Sequence, residues 1–437
     1  MPELERELHR LVATAQATWK LPSVNTALVR DGQVVWSEAL GLKEPGVRAQ
    51  TDLQYRIGSI TKTFCAVAIM QLRDSGQLAL DDPIGDHVPE APQQGPTIRT
   101  MLSHTSGIQR EPPGEIWETL KPPTREELLA QLPEAEQVLA AGLTFHYSNL
   151  AYALLGEVVA RLSGQRFEDY ADERILGPLG LTRTTWRREE PAASGYFVDP
   201  WDERLRPEAD LEPEATQSVG GLWSTTADLG RWAAFLCEPD PAVLAKETLD
   251  EMLTVRIVRD AEWKLGYGLG LGLYRRGDRV YAGHGGAMPG FLSGVVFRPS
   301  DRIGAVVLTS ASATAEPEQL AVSLCERALE LDPTLPEPWE PGEEPPAELT
   351  GVPGRWWSEG EEFVFRFRKG RLEAQLARSV LAPGVFERVE ADVYRTVAGR
   401  ERGELLRLIR DESGRVTKMY WATYPFTKAP EVFGRED

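Results

Sequence analysis

The sequence predicts an α/β protein in which helices flank an antiparallel sheet, a helical region is inserted into that sheet, and a small all-β domain follows. Three observations support this fold class. Strand patterns lie at both ends of residues 1–331, helical patterns fill the middle of that range, and a Pro/Glu-rich segment precedes a last run of short strand patterns. We therefore predict a first domain over 1–331, a linker over 332–348 and a small β domain over 349–437.

The first strands lie within residues 1–80. Residues 23–40 hold two apolar runs joined by Asp31-Gly32, a dipeptide that favours the positive φ values of a two-residue hairpin turn. The residues before them have the pattern of an amphipathic helix and lack the apolar segment of a signal peptide. We therefore expect a sheet that begins near the N-terminus and a cytoplasmic protein.

Residues 81–249 form the predicted helical region. Helical patterns such as LAYALLGEVVARL and TTADLGRWAAFL alternate there with Pro/Gly-rich loops, and strand signals are sparse. Strand patterns return in residues 250–331, in YGLGLGLYRRGDRVYAGHGG and SGVVFRPSDRIGAVVLTSA, before a closing helix near residues 317–330. The two ends of the first domain are therefore expected to complete one sheet.

Pro and Glu dominate the predicted linker, DPTLPEPWEPGEEPPAE, so that neither helix nor strand is expected to persist there. After it, segments such as FVFRFRKGRLEAQLA and ELLRLIRDESGRVTKMYW show the alternation and the Gly-containing turns of antiparallel strands. We expect the last domain to be a small β-barrel or sandwich.

Composition and charge exclude several classes of partner. The formal net charge of −19 and the lack of a Lys/Arg cluster argue against nucleic acid, and no run approaches the roughly 18 apolar residues of a membrane span. The cysteines, and the histidines outside the motifs below, lack metal-ligand spacing, so we expect no metal and no cofactor. The expected partner is a small-molecule or peptide substrate, and the sequence leaves self-association into a homo-oligomer open.

Ser59 and Lys62 form a Ser-x-x-Lys motif that suits nucleophilic catalysis. A serine at its ordinary pKa is a poor nucleophile and needs a base within about 2.6–3.2 Å of its hydroxyl. The run TKTFCAVAIMQLRDSG has the pattern of a helix, which places positions 59 and 62 one turn apart. Burial would lower the pKa of Lys62 toward that of a useful base. Alternatively, Ser59 caps the helix and Lys62 is a solvated residue.

Two further motifs can supply groups to the same cleft. Tyr147 and Asn149 can project to one side of an extended segment, where the phenol relays a proton and the amide holds Lys62 or a substrate carbonyl. Alternatively, Tyr147 is a core residue and Asn149 caps the following helix. His284-Gly285-Gly286 follows a strand, and its glycines let a substrate approach the backbone. A single histidine is also typical of a purely structural residue.

In this order, Ser-x-x-Lys, Tyr-x-Asn and His-Gly-Gly resemble the three motifs of the β-lactamase and penicillin-binding-protein superfamily, in particular its class C β-lactamase, esterase and D-aminopeptidase-like branch. The resemblance covers roughly residues 5–331 and includes IRTMLSHTSGI at 98–108, ILGPLGLTRTTW at 175–186 and SVGGLWSTTADLGRW at 218–232. It implies a β-lactamase-like fold with an inserted helical region. The last domain is more loosely similar to the lipocalin-like appendages of some members.

The resemblance also implies roles for individual residues. Ser59 resembles the nucleophile, with Lys62 and Tyr147 as the base pair. The backbone N–H groups of Ser59 and Ala287 form the implied oxyanion hole, which is usually worth about 2.7–4 kcal/mol per donor. The residues implied to bind or position the substrate are Asn149, His284, Gly286 and Ala287.

The third motif has His284 where a lysine would carry a permanent charge, and a neutral imidazole recognises a substrate carboxylate less well. Together with the missing signal-peptide pattern, this favours a serine hydrolase that cleaves small esters, amides or D-amino-acid-containing peptides through a Ser59 acyl-enzyme. Two alternatives stay open: an activity like that of a β-lactamase or D-Ala-D-Ala carboxypeptidase, and a slowly acylating penicillin-binding or sensing module. The sequence does not decide whether the C-terminal domain caps the cleft or serves stability and oligomerisation.

Overall fold

The computed structural model of the chain divides between Thr334 and Leu335 into two compact units, which we call the N-terminal and the C-terminal unit. Two residues of the predicted linker, Pro336 and Glu337, and the last five residues of the predicted β domain lie outside the described part of the chain. The structure describes residues 2–91, 95–335 and 338–432.

A large antiparallel sheet forms the centre of the N-terminal unit. The strands of this unit are β1 (Ser23–Arg30), β2 (Gln33–Glu44), β3 (Val47–Arg48), β4 (Tyr55–Arg56), β5 (Tyr196–Val198), β6 (Leu205–Pro207), β7 (Trp223–Ser224), β8 (Ile257–Val258), β9 (Leu265–Tyr267), β10 (Gly272–Arg276), β11 (Arg279–Met288), β12 (Phe291–Arg298) and β13 (Ile303–Thr309). Nine of them form the sheet in the order β3-β2-β1-β13-β12-β11-β10-β9-β8, while β4 pairs with β7 and β5 with β6. The two ends of the unit therefore complete one sheet, as predicted.

Helices cover the sheet and fill the region between β4 and β8. They are α1 (Pro2–Thr18), α2 (Thr61–Asp74), α3 (Ile84–His87), α4 (Ile98–Leu102), α5 (Ile116–Thr119), α6 (Arg125–Gln131), α7 (Asn149–Ser163), α8 (Phe167–Ala171), α9 (Gln217–Gly220), α10 (Thr226–Cys237), α11 (Lys246–Met252) and α12 (Pro317–Leu331). Short 3-10 turns lie at Gly58–Ile60, Leu132–Glu134, Glu214–Thr216 and Pro299–Asp301, and one π-helical turn at Asp172–Leu176. The predicted inserted helical region is present, and it also contains the short pair β5-β6, which the sparse strand signals did not reveal.

Local sequence explains how the sheet forms and where its cores lie. Asp31 and Gly32 adopt φ values of 48° and 78°, which are the left-handed values of the predicted hairpin turn between β1 and β2. Strand β13, an inner strand of the sheet, is buried on both faces. Its Ile303, Ala305 and Val307 pack with α1 and α12, whereas Val306 and Leu308 join a second core that contains α2, α7 and α10. This alternation places the sheet between two layers of helices.

The C-terminal unit is a nearly closed barrel of eight antiparallel strands. They are β14 (Gly354–Ser358), β15 (Glu361–Arg368), β16 (Arg371–Leu376), β17 (Gly384–Glu390), β18 (Val393–Ala398), β19 (Leu405–Arg410), β20 (Val416–Trp421) and β21 (Tyr424–Phe426), which pair in chain order. Reciprocal backbone hydrogen bonds between Trp357 and Thr427, at 2.9 and 3.1 Å, connect the first strand with the residue after the last. The barrel has its own apolar core, which includes Trp356, Phe365, Leu406 and Met419.

None of the described helices combines the length and the apolar character needed to cross a bilayer. The described residues also contain no group of three or more His, Cys, Asp or Glu side chains placed to hold a metal ion.

Candidate active site

Ser59 lies in the 3-10 turn Gly58–Ile60, directly before α2, and Lys62 is the second residue of that helix. This placement brings the Lys62 Nζ to 3.0 Å from the Ser59 Oγ, as the spacing predicted. Lys62 is completely buried and also donates a hydrogen bond of 2.9 Å to the carbonyl oxygen of Val219. The alternative of a solvated Lys62 is therefore wrong.

Burial controls the charge of Lys62. Because a buried ammonium loses its hydration, the pKa of Lys62 falls from 10.5 to about 7. The carboxylate of Glu111 acts in the opposite direction, and the guanidinium of Arg110 adds to the lowering. At neutral pH a large fraction of the amine is therefore free of its proton and can accept one.

Tyr147 stands beside the Ser59 and Lys62 pair. Burial raises the pKa of its phenol, and its hydrogen bond with the Ser59 side chain acts in the opposite direction. The Lys62 Nζ lies 5.1 Å from the centre of the tyrosine ring. On another side the ring of His104 lies 4.1 Å from that of Tyr147, centre to centre, and the Nδ1 of His104 accepts the Ser148 N–H at 3.1 Å. The phenol is thus positioned between the candidate nucleophile and a buried imidazole.

Asn149 is the first residue of α7, whereas Ser148 caps this helix by accepting a hydrogen bond from the Ala151 N–H. The interpretation of Asn149 as the cap is therefore wrong. The Asn149 Nδ2 lies 2.7 Å from the Glu111 Oε1, and since a carboxylate only accepts hydrogen bonds, this contact fixes the orientation of the amide. The Asn149 Oδ1 is buried and has no hydrogen-bond partner among the described residues.

His284 lies on β11 and is buried. Its Nδ1 is 2.5 Å from the Gly285 carbonyl, which can only accept, so Nδ1 carries the hydrogen; the Nε2 then accepts from the Tyr267 hydroxyl at 2.9 Å. Burial, together with the charge of Lys62, lowers the pKa of His284 to about 3. The imidazole is therefore neutral near pH 7, as the sequence led us to expect.

The end of β11 passes directly beside Ser59. Strand β10 pairs with β11 only as far as Gly283, so residues 284–288 pair with β12 alone among the described strands. A Cβ on Gly286 would overlap the Ile57 carbonyl oxygen, and a Cβ on Gly58 would lie 2.8 Å from the Ala287 nitrogen. Ala287 is exposed. The backbone of β11 thus brings the amide nitrogen of the exposed Ala287 next to the Ser59 turn.

These residues line a cleft of about 550 Å³. The predicted site residues Ser59, Tyr147, Asn149, His284, Gly286 and Ala287 all contribute to its surface, whereas Lys62 is buried beneath it. The exposed Trp117 contributes to an apolar part of the wall together with Ile116, Pro122, Leu211 and Pro213.

The cleft also holds charged groups that the sequence analysis did not single out. The guanidinium of Arg110 lies 5.1 Å from the ring centre of Tyr147, and that of Arg259 lies 4.3 Å from the ring centre of Phe145. Glu318, near the start of α12, contributes a carboxylate. Weak carboxylate recognition was expected from His284 alone, and the two permanent cations, Arg110 and Arg259, weaken that expectation. No local pattern distinguishes them from other surface arginines of the chain.

Val219 and His104 are further residues whose site contacts the sequence analysis missed. Both lie in segments already noted for their family resemblance, SVGGLW and LSHTSG, and this was the available signal. The Val219 carbonyl accepts a hydrogen bond from Lys62, 157 residues away in the chain. The His104 imidazole stacks on Tyr147, 43 residues away. Local sequence patterns do not show contacts over such separations.

Comparison with known proteins gives two family matches. The model described as Beta-lactamase matches residues 8–324, and one described as a domain of unknown function (DUF7586) matches residues 345–428. Relatives include Beta-lactamase-like protein 2 from Dictyostelium discoideum, 27% identical, and the D-alanyl-D-alanine-carboxypeptidase/endopeptidase AmpH from Escherichia coli, 32% identical. The alignments cover 59% and 47% of this chain, and the chain spans about half the length of these relatives, 50% and 55%.

Solved structures show the same fold. An octameric penicillin-binding protein homologue from Pyrococcus abyssi is 26% identical with a TM-score of 0.65, and the match covers 97% of this chain and 99% of that one. A D-stereospecific amidohydrolase from Streptomyces sp. is 25% identical with a TM-score of 0.64, covering 76% of this chain and 99% of that one. Since the Beta-lactamase model matches most of the sequence, this chain belongs to the beta-lactamase family.

Proposed function

We propose that this protein is a serine hydrolase that cleaves small esters, amides or D-amino-acid-containing peptides through an acyl-enzyme on Ser59. One observation carries the proposal: a completely buried Lys62 Nζ lies 3.0 Å from the Ser59 Oγ. A buried amine with a pKa near 7 is a suitable base at neutral pH, and this distance lies within hydrogen-bond reach of the proton it must accept.

In the proposed acylation step, the neutral Lys62 accepts the Ser59 proton while the Oγ attacks the substrate carbonyl carbon. The bond from Oγ to carbon forms, and the carbonyl oxygen becomes an oxyanion held by the N–H groups of Ser59 and Ala287. When the bond from carbon to the leaving group breaks, Tyr147 passes a proton to the leaving group and regains one from Lys62. Its high pKa suits this relay, because the phenol stays protonated between turnovers.

In the proposed deacylation, water replaces the leaving group. Lys62 accepts a proton from the water while the oxygen of the water attacks the acyl carbon. The bond from that carbon to the Ser59 Oγ then breaks, and the Oγ takes the proton back from Lys62. Asn149, held by Glu111, and the neutral His284, held by Tyr267, line the cleft and are proposed to orient the substrate.

The names of two similar proteins support including amides and D-amino-acid-containing peptides among the proposed substrates. AmpH is described as a D-alanyl-D-alanine-carboxypeptidase/endopeptidase, and the Streptomyces protein as a D-stereospecific amidohydrolase. One name refers to D-alanyl-D-alanine and the other to D-stereospecific amidohydrolysis, which supports extending the proposal from esters to D-configured amides and peptides. Self-association is also proposed, because the P. abyssi relative is described as octameric; light scattering of the full chain tests this.

The activity is tested with short-chain p-nitrophenyl esters and D-aminoacyl p-nitroanilides. We expect release of the chromophore, and in Ser59→Ala a loss of kcat/KM on the order of 10⁴-fold or more, because the nucleophile is absent. Ser75→Ala, at the other end of α2, is the matched control and should retain activity. No turnover of either substrate class by the wild-type protein would contradict the proposal.

A second candidate is an activity like that of a β-lactamase or D-Ala-D-Ala carboxypeptidase, or slow acylation in a sensing role. The specific observation in its favour is the guanidinium groups of Arg110 and Arg259 in the cleft, which can attract a substrate carboxylate. Mass spectrometry after incubation with a penicillin distinguishes hydrolysis of the β-lactam from slow acylation in a sensing role. A stable adduct without ester or amide turnover supports sensing, and a hydrolysed product supports β-lactamase activity.

A further inference from the structure

Glu318 presents a carboxylate to the cleft and has no cationic partner among the described residues. It is the second residue of α12, half-buried, and it lines the same cavity as Ser59 and His284. Within the described part of the chain, no lysine, arginine or histidine nitrogen lies within 4.0 Å of its carboxylate oxygens. Burial raises the pKa of Glu318, which the charge of Arg259 partly opposes from a greater distance. Glu318 is therefore a half-buried acid of the cleft that a bound cation would stabilise.

Two glycines explain why this carboxylate lies against the sheet. Gly285 on β11 and Gly294 on β12 are paired directly beneath the first turn of α12. A Cβ on Gly294 would lie 2.7 Å from the Glu318 nitrogen, and a Cβ on Gly285 would overlap the Glu318 carboxylate. A carboxylate stabilises the N-terminus of a helix through the helix dipole even when it is exposed to solvent, as the neighbouring Glu316 is. This effect therefore does not require the burial of Glu318. The glycine pair instead lets the carboxylate reach the edge of β11 beside His284.

Within the proposed mechanism, the place of Glu318 corresponds to the side of the leaving group. In the proposed mechanism Tyr147 delivers the proton to the leaving group, and the ring of His284 lies 6.2 Å from that of Tyr147, centre to centre. Glu318 contacts the residue after His284, and its charge acts on the Tyr147 phenol. Arg110 stacks on the ring of Tyr147 and Arg259 on that of Phe145, and neither guanidinium lies within 4.0 Å of the Glu318 carboxylate.

We propose that Glu318 binds a cationic group carried by the leaving group of the substrate, so that esters and amides whose leaving group bears an ammonium or guanidinium are preferred. This inference rests on the proposed function. Glu318 is then a specificity residue that touches the substrate, and the carboxylate replaces part of the hydration of the bound cation.

A set of thioesters with one acyl group and three leaving thiols of similar size tests the inference. Acetylthiocholine has a cationic leaving group, the 3,3-dimethylbutyl thioester is its neutral isostere, and the acetyl thioester of 3-mercaptopropionate is anionic. We expect kcat/KM for the cationic substrate to exceed that for the neutral one by about tenfold, the effect of one half-buried charge pair. In Glu318→Gln this ratio should fall to near one, and in the wild-type protein it should decrease as the salt concentration rises.

Glu316→Gln is the matched control, because it removes the same charge from the exposed residue just before α12. In this variant the ratio of kcat/KM for the cationic over the neutral thioester should persist.

Three results would overturn the inference: equal turnover of the cationic and neutral thioesters, a ratio unchanged in Glu318→Gln, or a preference for the anionic thioester. The last result would support Arg259 as the dominant group. Absence of turnover of all three thioesters by a protein that hydrolyses p-nitrophenyl esters would also overturn the inference and leave the proposed function standing, whereas absence of p-nitrophenyl ester and anilide turnover as well would contradict the proposed function. The salt dependence in the wild-type protein gives a decisive result even if the variant does not fold.

Discussion

Lys62 donates hydrogen bonds to the Ser59 hydroxyl and to the Val219 carbonyl, and no part of its side chain reaches solvent. A lysine with this environment costs stability when charged, because the two acceptors replace only part of its hydration. The same cost brings its pKa to about 7 and makes it a base. The chemistry of this residue therefore follows from its burial, and its sequence position one turn from Ser59 supplies only the distance.

The first prediction concerns pH. Only the deprotonated Lys62 can accept the Ser59 proton, so kcat/KM for a neutral ester should rise about tenfold per pH unit below pH 7 and level off above it. The measurement is a kcat/KM profile from pH 5 to 9. His284→Asn should leave the midpoint in place, because the pKa of His284 is near 3. A midpoint that moves with His284, or that lies near the ordinary lysine value of 10.5, would argue against Lys62 as the base.

At the scale of elements, the contact between β11 and the turn before α2 decides the geometry of the site. The Ile57 carbonyl accepts a hydrogen bond of 2.9 Å from the Ser293 hydroxyl of β12, and Gly286 packs on the same carbonyl. Since neither glycine at this contact has a side chain, the backbones of Gly58 and Ala287 can approach each other closely. This approach places two backbone N–H groups, on separate elements, beside one cleft.

Gly286→Ala should separate these elements. The added Cβ would overlap the Ile57 carbonyl, so β11 or the turn must shift and carry the Ala287 N–H away from its position. Loss of one oxyanion donor costs about 10²–10³-fold in kcat, and overpacking should also destabilise the fold by about 1–3 kcal/mol. Ester hydrolysis and thermal unfolding measure the two effects. Gly85→Ala, where a Cβ meets no atom within 4 Å, is the control and should change neither; wild-type kcat in Gly286→Ala would refute this account of the oxyanion hole.

On the scale of the whole molecule, the chain has separate apolar cores. Two cores lie within the N-terminal unit on the two faces of its sheet, and the third, around Trp356, Phe365 and Met419, lies within the barrel. Every residue that lines the candidate cleft belongs to the N-terminal unit, between Ser59 and Glu318. A unit with its own cores is expected to fold by itself.

We accordingly predict that a chain ending at Thr334 folds and hydrolyses small p-nitrophenyl esters with a kcat/KM within about tenfold of the full chain, a difference of at most about 1.4 kcal/mol. Circular dichroism verifies folding, and the ester assay gives the rate. A folded but inactive truncated chain would mean that the barrel completes the site. If the truncated chain differs only on large peptides, the barrel acts as the cap that the sequence left as one of two possibilities.

Much of the fold could be read from local patterns. The hairpin at Asp31-Gly32, the closing helix that the structure places at Pro317–Leu331, and the alternation of the barrel strands all depend on residues close together in the chain. The pair β5-β6 escaped prediction because its strands have three residues each, too few for a periodic signal. Likewise, Ser148 rather than Asn149 caps α7, a choice that depends on which side chain turns back to the Ala151 N–H.

By itself the sequence determined the motif chemistry of the protein: which hydroxyl, amine, phenol and imidazole are available, and that Ser59 and Lys62 lie one helical turn apart. Only the tertiary structure decided how buried Lys62 is, that Glu111 orients Asn149, that burial keeps His284 neutral, and that Arg110, Arg259 and Glu318 face the cleft. The physical reason is that hydration and electrostatic interaction depend on distances in space, and these contacts join segments far apart in the chain.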